Sequence, residues 1–198
     1  MTALELQTEI REVQPDLLVT VRSGGFDIGG IFRVLDNEGI LLDEFQIRMA
    51  ISECPLLFPP QVTETGGRLP VDVNRHVNPA NGTICYFTNE DFYLWLAQGN
   101  RKVSEFLEGP LRNYFISQLS FQQTGQWPFG ERPHGNLGRI DFYRDLFGLD
   151  ENANVPHFFY RLWFRKFKGH HSCPCGSENQ IRQCHKDIIV VQNTFSHS

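Results

Sequence analysis

No run of eighteen apolar residues occurs in the 198-residue sequence, which excludes a helix long enough to cross a bilayer. The N-terminal stretch MTALELQTEIREVQ is acidic and amphipathic and carries no cleavable apolar leader. Basic residues are also scarce. Eighteen Lys and Arg face 23 Asp and Glu, a net charge of -5, so there is no general positive surface for nucleic acid or acidic lipid. No glycine-rich run precedes a Lys-Ser/Thr pair or opens a helix, and the glycines read as turn residues rather than a phosphate cradle. The five cysteines are odd in number, and three of them crowd between Cys173 and Cys184, a pattern of metal ligands and free thiols rather than a disulfide framework. These absences predict a cytosolic protein with no membrane partner and with nucleic acid disfavoured.

What is present is enough for a core. A composition of 40% hydrophobic and 13% aromatic residues supports one full domain plus an appendage. Leu4, Leu6, Ile10 and Val13 fall at helical spacing, closed by Pro15. Three β-forming runs follow, Leu17 to Val21, Gly30 to Leu35 and Ile40 to Ile51, divided by Ser23-Gly24-Gly25 and Asp36-Asn37-Glu38-Gly39. Turns that short force antiparallel neighbours, hence a meander. Pro55, Pro59 and Pro60 then predict a stiff extended crossing, because proline cannot serve a central strand or a helix interior.

The stretch NRHVNPANGTICYF, Asn74 to Phe87, places Cys85 just after the Asn81-Gly82 turn pair, with His76 and Asn78 upstream. A thiolate nucleophile needs a partly exposed pocket and a donor for the oxyanion that forms at an attacked carbonyl, and Asn78 is the candidate donor. The same cysteine beside β-forming residues is also what a small buried hydrophobe looks like.

The order of these residues resembles the active-site segment of ubiquitin-conjugating enzymes, where a His-Pro-Asn triplet precedes a Gly-x-Ile-Cys step. Its counterparts here are His76, Val77 and Asn78, then Gly82, Thr83, Ile84 and Cys85. The proline of the triplet is absent, and Asn78 stands one residue nearer the cysteine. Cys54-Pro55 followed by Pro59-Pro60-Gln61-Val62 is similar to the Tyr-Pro and Pro-Pro-x-Val crossing of the same family, with Cys54 in place of the tyrosine. Trp95, in a helix-like stretch from Glu90 to Ala97, is family-like in position, and its plain reading is core. Glu90 and Asp91 read as helix-start acids in preference to groups that steer an amine. A longer helix is expected from Lys102 to about Gln123, with Gly109-Pro110 marking a kink or break.

From Trp127 to Gly148, a Gly/Pro/His-rich loop leads into a closing helix with Ile140, Phe142, Tyr143, Leu146 and Phe147 on its apolar face. The segment around His134 is similar to one found in prokaryotic members of the superfamily, several of which occur in antiphage defence operons. His134 is therefore a candidate base or polar support for Cys85, against the plainer reading of a structural loop histidine. Next, Phe158, Phe159, Tyr160, Leu162, Trp163, Phe164 and Phe167 alternate with Arg161, Arg165, Lys166 and Lys168, an aromatic-basic helix suited mostly to packing.

The sequence then reads CPCGSENQIRQCHKD. Cys173 and Cys175 form one close pair and Cys184 with His185 another, joined by a short turn, a donor set and spacing suited to tetrahedral zinc. This is similar to the SEC-C motif, with Glu178 and Asn179 where that motif commonly has glycine and lysine. Four protein ligands leave no open position, so the expected zinc is structural.

Taken together, these readings predict an α+β protein. Residues 1–150 form a four-stranded antiparallel meander of ubiquitin-conjugating type packed with helices, and residues 151–198 the aromatic-basic helix and zinc knuckle. The resemblance implies a transferase of antiphage defence. Cys85 would accept a ubiquitin-like or otherwise activated carboxyl terminus from an activating enzyme and pass it to an amine on a target, with Asn78 holding the oxyanion and His76 ordering the loop. The cargo is either a ubiquitin-like protein or a nucleotidyltransferase. Two other classes stand beside it: an inactive binding module that works through its knuckle, and a cysteine hydrolase using His76 or His134.

Overall fold

The computed structural model describes residues 2–54, 56–128, 136–151, 153–164 and 166–186; His134, Arg165 and the side chains of Leu162, Trp163 and Phe164 lie outside that description. The chain divides into two compact units, Met1–Glu131 and Arg132–Ser198.

The first unit opens with α1, Ala3–Val13, fixed by a capping box in which Thr2 and Glu5 satisfy each other's backbone donors. Four strands follow: β1 Leu17–Arg22, β2 Gly25–Leu35, β3 Leu41–Ser52 and β4 Gln61–Glu64. They pair in sequence order, each antiparallel to the next. The predicted meander is present, with two refinements. Strand β2 begins five residues before the expected Gly30, because Gly25 pairs with Arg22 across a two-residue turn through Ser23 and Gly24. The expected extended crossing ends in a real strand, since Gln61 onward lies beyond the prolines and has free donors to pair with β3.

Alternation along β3 buries Phe45, Ile47, Met49 and Ile51 on one face, and β2 adds Phe26, Ile28, Phe32 and Val34 to the same core. Leu6 and Ile10 of α1 complete one side. The other side is the long helical segment: α3 Val103–Phe106, a π-helical stretch Leu107–Leu111, and α4 Arg112–Thr124. The anticipated break at Gly109-Pro110 is absorbed there, because the wider π turn tolerates a residue with no N–H to donate. Phe115 of α4 stacks on Phe45 at 4.4 Å and tilts against Phe32 at 5.3 Å, and each such fully buried ring contributes about 1.5–3 kcal/mol of burial free energy. A shorter helix, α2 Asn89–Ala97, carries Phe92 into the core and Trp95 against it. Its cap Thr88 accepts from the Asp91 backbone and donates to the Asp91 carboxylate, so that acid serves the helix start.

The second unit contains α5, Asn136–Leu146, and α6, Val155–Phe164. Phe142, Leu149, Val155, Phe158, Phe167 and Ile181 form its apolar centre together with Cys173 and Cys175. Among the described residues, no helix is long and apolar enough to cross a membrane.

Candidate functional site: the Cys85 arm and the Cys/His cluster

Beyond β4 the chain makes a 3-10 turn, Val73–Arg75, capped by Asp72. It then enters a short two-stranded arm. Val77 bridges Ile84, the Asn78 N–H donates to Thr83 O at 2.8 Å, and the Cys85 N–H donates to His76 O at 2.7 Å. Pro79 to Gly82 turn the arm. Gly82 has φ +71, a left-handed conformation open to glycine at no steric cost. The arm is fastened to the sheet, since Thr83 bridges Thr63 and the Ile84 N–H donates to Val62 O at 2.8 Å.

Period-two alternation then sorts the side chains. Val77 and Ile84 are buried, whereas Cys85 is exposed and Asn78 half-buried on the opposite face. Cys85 is not the small buried hydrophobe its flanking residues also permit. Burial of part of the residue still pushes its thiol up from the ordinary value. Asn78 commits its side-chain oxygen to an Asx turn with the Ala80 N–H at 2.9 Å, which leaves the side-chain NH2 as its donor group.

His76 leaves the ladder. Its backbone is left-handed, φ 52 and ψ 37, and its N–H returns to Val73 O. Its ring meets the edge of Trp127 at 4.8 Å, and Trp127 stacks on Phe121 at 4.4 Å. His76 therefore shapes the arm through its backbone carbonyl and its aromatic contact.

Three side chains of α4 that the sequence reading passed over reach the same place. Tyr114 donates to the carbonyls of Arg75 and His76, Gln118 exchanges hydrogen bonds with Arg75, and the Phe121 ring lies 4.9 Å below the Arg75 guanidinium. Their spacing, i, i+4 and i+7, was the available signal. Burial pushes both Tyr114 and the neighbouring Tyr86 well above the usual phenol range, and negative charge at Cys85 adds to the effect.

The second unit brings Cys173, Cys175, Cys184 and His185 together, their ligand atoms all within 4.8 Å of one another. Cys175 and Cys184 sulfurs are 3.6 Å apart, and His185 Nδ1 is 3.1 Å from the sulfurs of Cys173 and Cys184. A tetrahedral ion with thiolate ligands near 2.3 Å requires sulfur separations of about 3.8 Å, so the cluster needs only slight expansion to hold a metal. The tautomer also fits. His185 Nε2 donates to Phe147 O, which leaves Nδ1 as the lone-pair nitrogen facing the sulfurs.

The local fold explains the approach of these residues. Gly176, at φ +92, turns the chain after Cys175, Ser172 bridges Gln180, and Cys184 closes the 3-10 turn Ile181–Gln183. Ser177 hydroxyl lies 3.1 Å from Cys175 Sγ and 3.3 Å from Cys184 Sγ. Burial raises the Cys173 thiol to about 12. Burial would likewise raise Cys175, but hydrogen bonds from Ser177 bring it down to about 7.

Searches of protein-family models, of curated proteins and of solved structures return no match to the chain.

Proposed function

We propose that the first unit is a ubiquitin-conjugating-like acyl transferase with Cys85 as its nucleophile. One observation carries the reading: an exposed cysteine and an asparagine with a free NH2 share the solvent face of an arm that is hydrogen-bonded to the fourth strand of an antiparallel meander. The order of motifs in the sequence agrees with it.

In the first step the Cys85 thiolate attacks the carbonyl carbon of a carboxyl terminus already activated as a thioester. A carbon–sulfur bond forms, the oxyanion receives a hydrogen bond from Asn78 Nδ2, and the donor's thiolate departs. In the second step an amine of the target attacks the new thioester, loses a proton to solvent or base, and expels the Cys85 thiolate as an amide forms. A thiol held above its ordinary value suits an activated acyl donor better than an unactivated peptide, which needs a thiolate sharpened by a base. That contrast favours transfer over hydrolysis.

The Cys/His cluster is read as a structural zinc site. Cys173, Cys175, Cys184 and His185 would hold the ion, and Phe147 O and Ser177 would orient the imidazole and two thiolates. The knuckle serves docking of the activating enzyme, cargo or target. An inactive binding module remains the second reading, because the knuckle is complete as a unit without any reference to Cys85.

The test is intact mass after incubation of wild type, Cys85→Ser and Cys85→Ala with ATP and the proteins encoded beside its gene. Wild type gains a thiol-reducible adduct, Cys85→Ser a stable one and Cys85→Ala none. An adduct on Cys85→Ala equal to wild type contradicts the proposal.

A further inference from the structure

Gln118 is fully buried on α4, and every polar atom of its carboxamide is used on one target. Its Nε2 donates to the Arg75 carbonyl at 2.7 Å, while its Oε1 accepts from Arg75 Nε at 3.1 Å and Nη2 at 2.7 Å. One turn earlier, the Tyr114 hydroxyl reaches the Arg75 carbonyl at 3.3 Å and the His76 carbonyl at 3.4 Å. One turn later, Phe121 supports the Arg75 guanidinium and, through Trp127, the His76 ring. A single helical stripe is thus devoted to two consecutive residues of a loop. The second of those residues offers the carbonyl that receives the Cys85 N–H.

A merely stabilising glutamine would not need this target. The Arg75-His76 backbone lies at a left-handed turn, φ 52 at His76, which a non-glycine residue holds only when its surroundings over-determine it. Gln118 supplies that determination from both sides, through the side chain and the carbonyl of the same residue. Relaxation of the turn would rotate the His76 carbonyl away from Cys85 and release the backbone that carries the thiol.

We infer that Gln118 is a positioning residue for the Cys85 thiol, acting through the Arg75-His76 backbone and assisted by Tyr114. The inference rests on Cys85 being the reactive group of the proposed function, but its test needs no partner. Deuterium exchange at the Cys85 amide and the rate of Cys85 alkylation by iodoacetamide are measured at one pH for wild type, Gln118→Leu, Gln118→Glu and Tyr114→Phe.

Gln118→Leu raises both quantities about tenfold, the equilibrium equivalent of one lost buried hydrogen bond. Gln118→Glu keeps the acceptor for the Arg75 guanidinium but loses the donor to the Arg75 carbonyl, so it shows a rise of the same sign. Tyr114→Phe gives a smaller rise of the same sign. Exchange at Ile47 and Met49 in β3 stays at the wild-type rate throughout. Wild-type behaviour of Cys85 in Gln118→Leu overturns the inference, as does a uniform rise that includes β3. If Gln118→Leu fails to fold, Gln118→Glu and Tyr114→Phe decide, and wild-type Cys85 exchange in both overturns it. In the transfer assay the same substitutions lower kcat with KM for the activated donor unchanged. A chain that shows the exchange effect but no adduct retains the positioning role and loses the proposed function.

Discussion

The Cys85 N–H donates to the carbonyl oxygen of His76 at 2.7 Å, across an arm in which Val77 and Ile84 point inward. That bond fixes the backbone of an exposed cysteine to a turn that is itself locked by α4. It makes Cys85 a defined position rather than a mobile surface thiol.

The state of that thiol is measurable. Burial raises it, so the alkylation rate of Cys85 reaches half its maximum at a pH above the ordinary thiol value of about 8.5. The linked stability has a definite sign. A group whose folded pKa is raised holds its proton more tightly in the folded state, so its contribution is full below the unfolded pKa and is lost as pH rises through the folded one. The stability difference between wild type and Cys85→Ala, from denaturant unfolding, therefore stays flat well below the ordinary thiol value and shifts against wild type as pH rises through and above it.

Metal content separates the two units. If the cluster holds zinc as proposed, elemental analysis of the purified protein should find about one zinc per chain. Removal with excess chelator under reducing conditions raises amide exchange from 172 to 185, where Cys173, Cys175, Cys184 and His185 converge, and leaves β2 and β3 protected. Cys173→Ser or Cys184→Ser reproduces the effect.

Gly30 tests the sheet. It sits at φ +142 with room for no side chain, since an added Cβ would lie 2.1 Å from the carbonyl oxygen of Asp16. Gly30→Ala forces the α1–β1 connection away from β2 and costs on the order of 3 kcal/mol, read as a loss of melting temperature.

Gln14 tests the joint between α1 and the rest. It is 1% exposed, and its side chain accepts from Arg33 N–H while donating to Arg33 O and to Glu108. Gln14→Leu strands the Arg33 groups and destabilises by about 2 kcal/mol in chemical unfolding, with no change in Cys85 alkylation.

Much of this architecture was legible in the residues. Turn pairs and alternation gave three strands in order, and helical spacing gave α1, α2 and the closing helix α5. The donor set of the Cys/His cluster was readable because soft ligands in two close pairs have few other uses. A fourth strand was expected only as what the family resemblance implies; its place at β4 was hidden by the prolines before it, whose stiffness says nothing of the residues after them. The π turn at Pro110 was hidden because helical spacing runs on through it, and only the widened turn reconciles proline with a buried helix. Around Cys85, local order placed His76 and Asn78 but not Gln118 or Tyr114. Their spacing puts them on one face of α4, but their partners lie 38 to 43 residues away, and that spacing does not name the partner.

The most direct test of the account is the mass of the Cys85 adduct. Wild type, incubated with ATP and the proteins encoded beside its gene, should gain one covalent adduct that thiols release and that Cys85→Ala lacks. A folded, zinc-loaded wild type that gains no adduct, or an adduct that persists on Cys85→Ala, would contradict it.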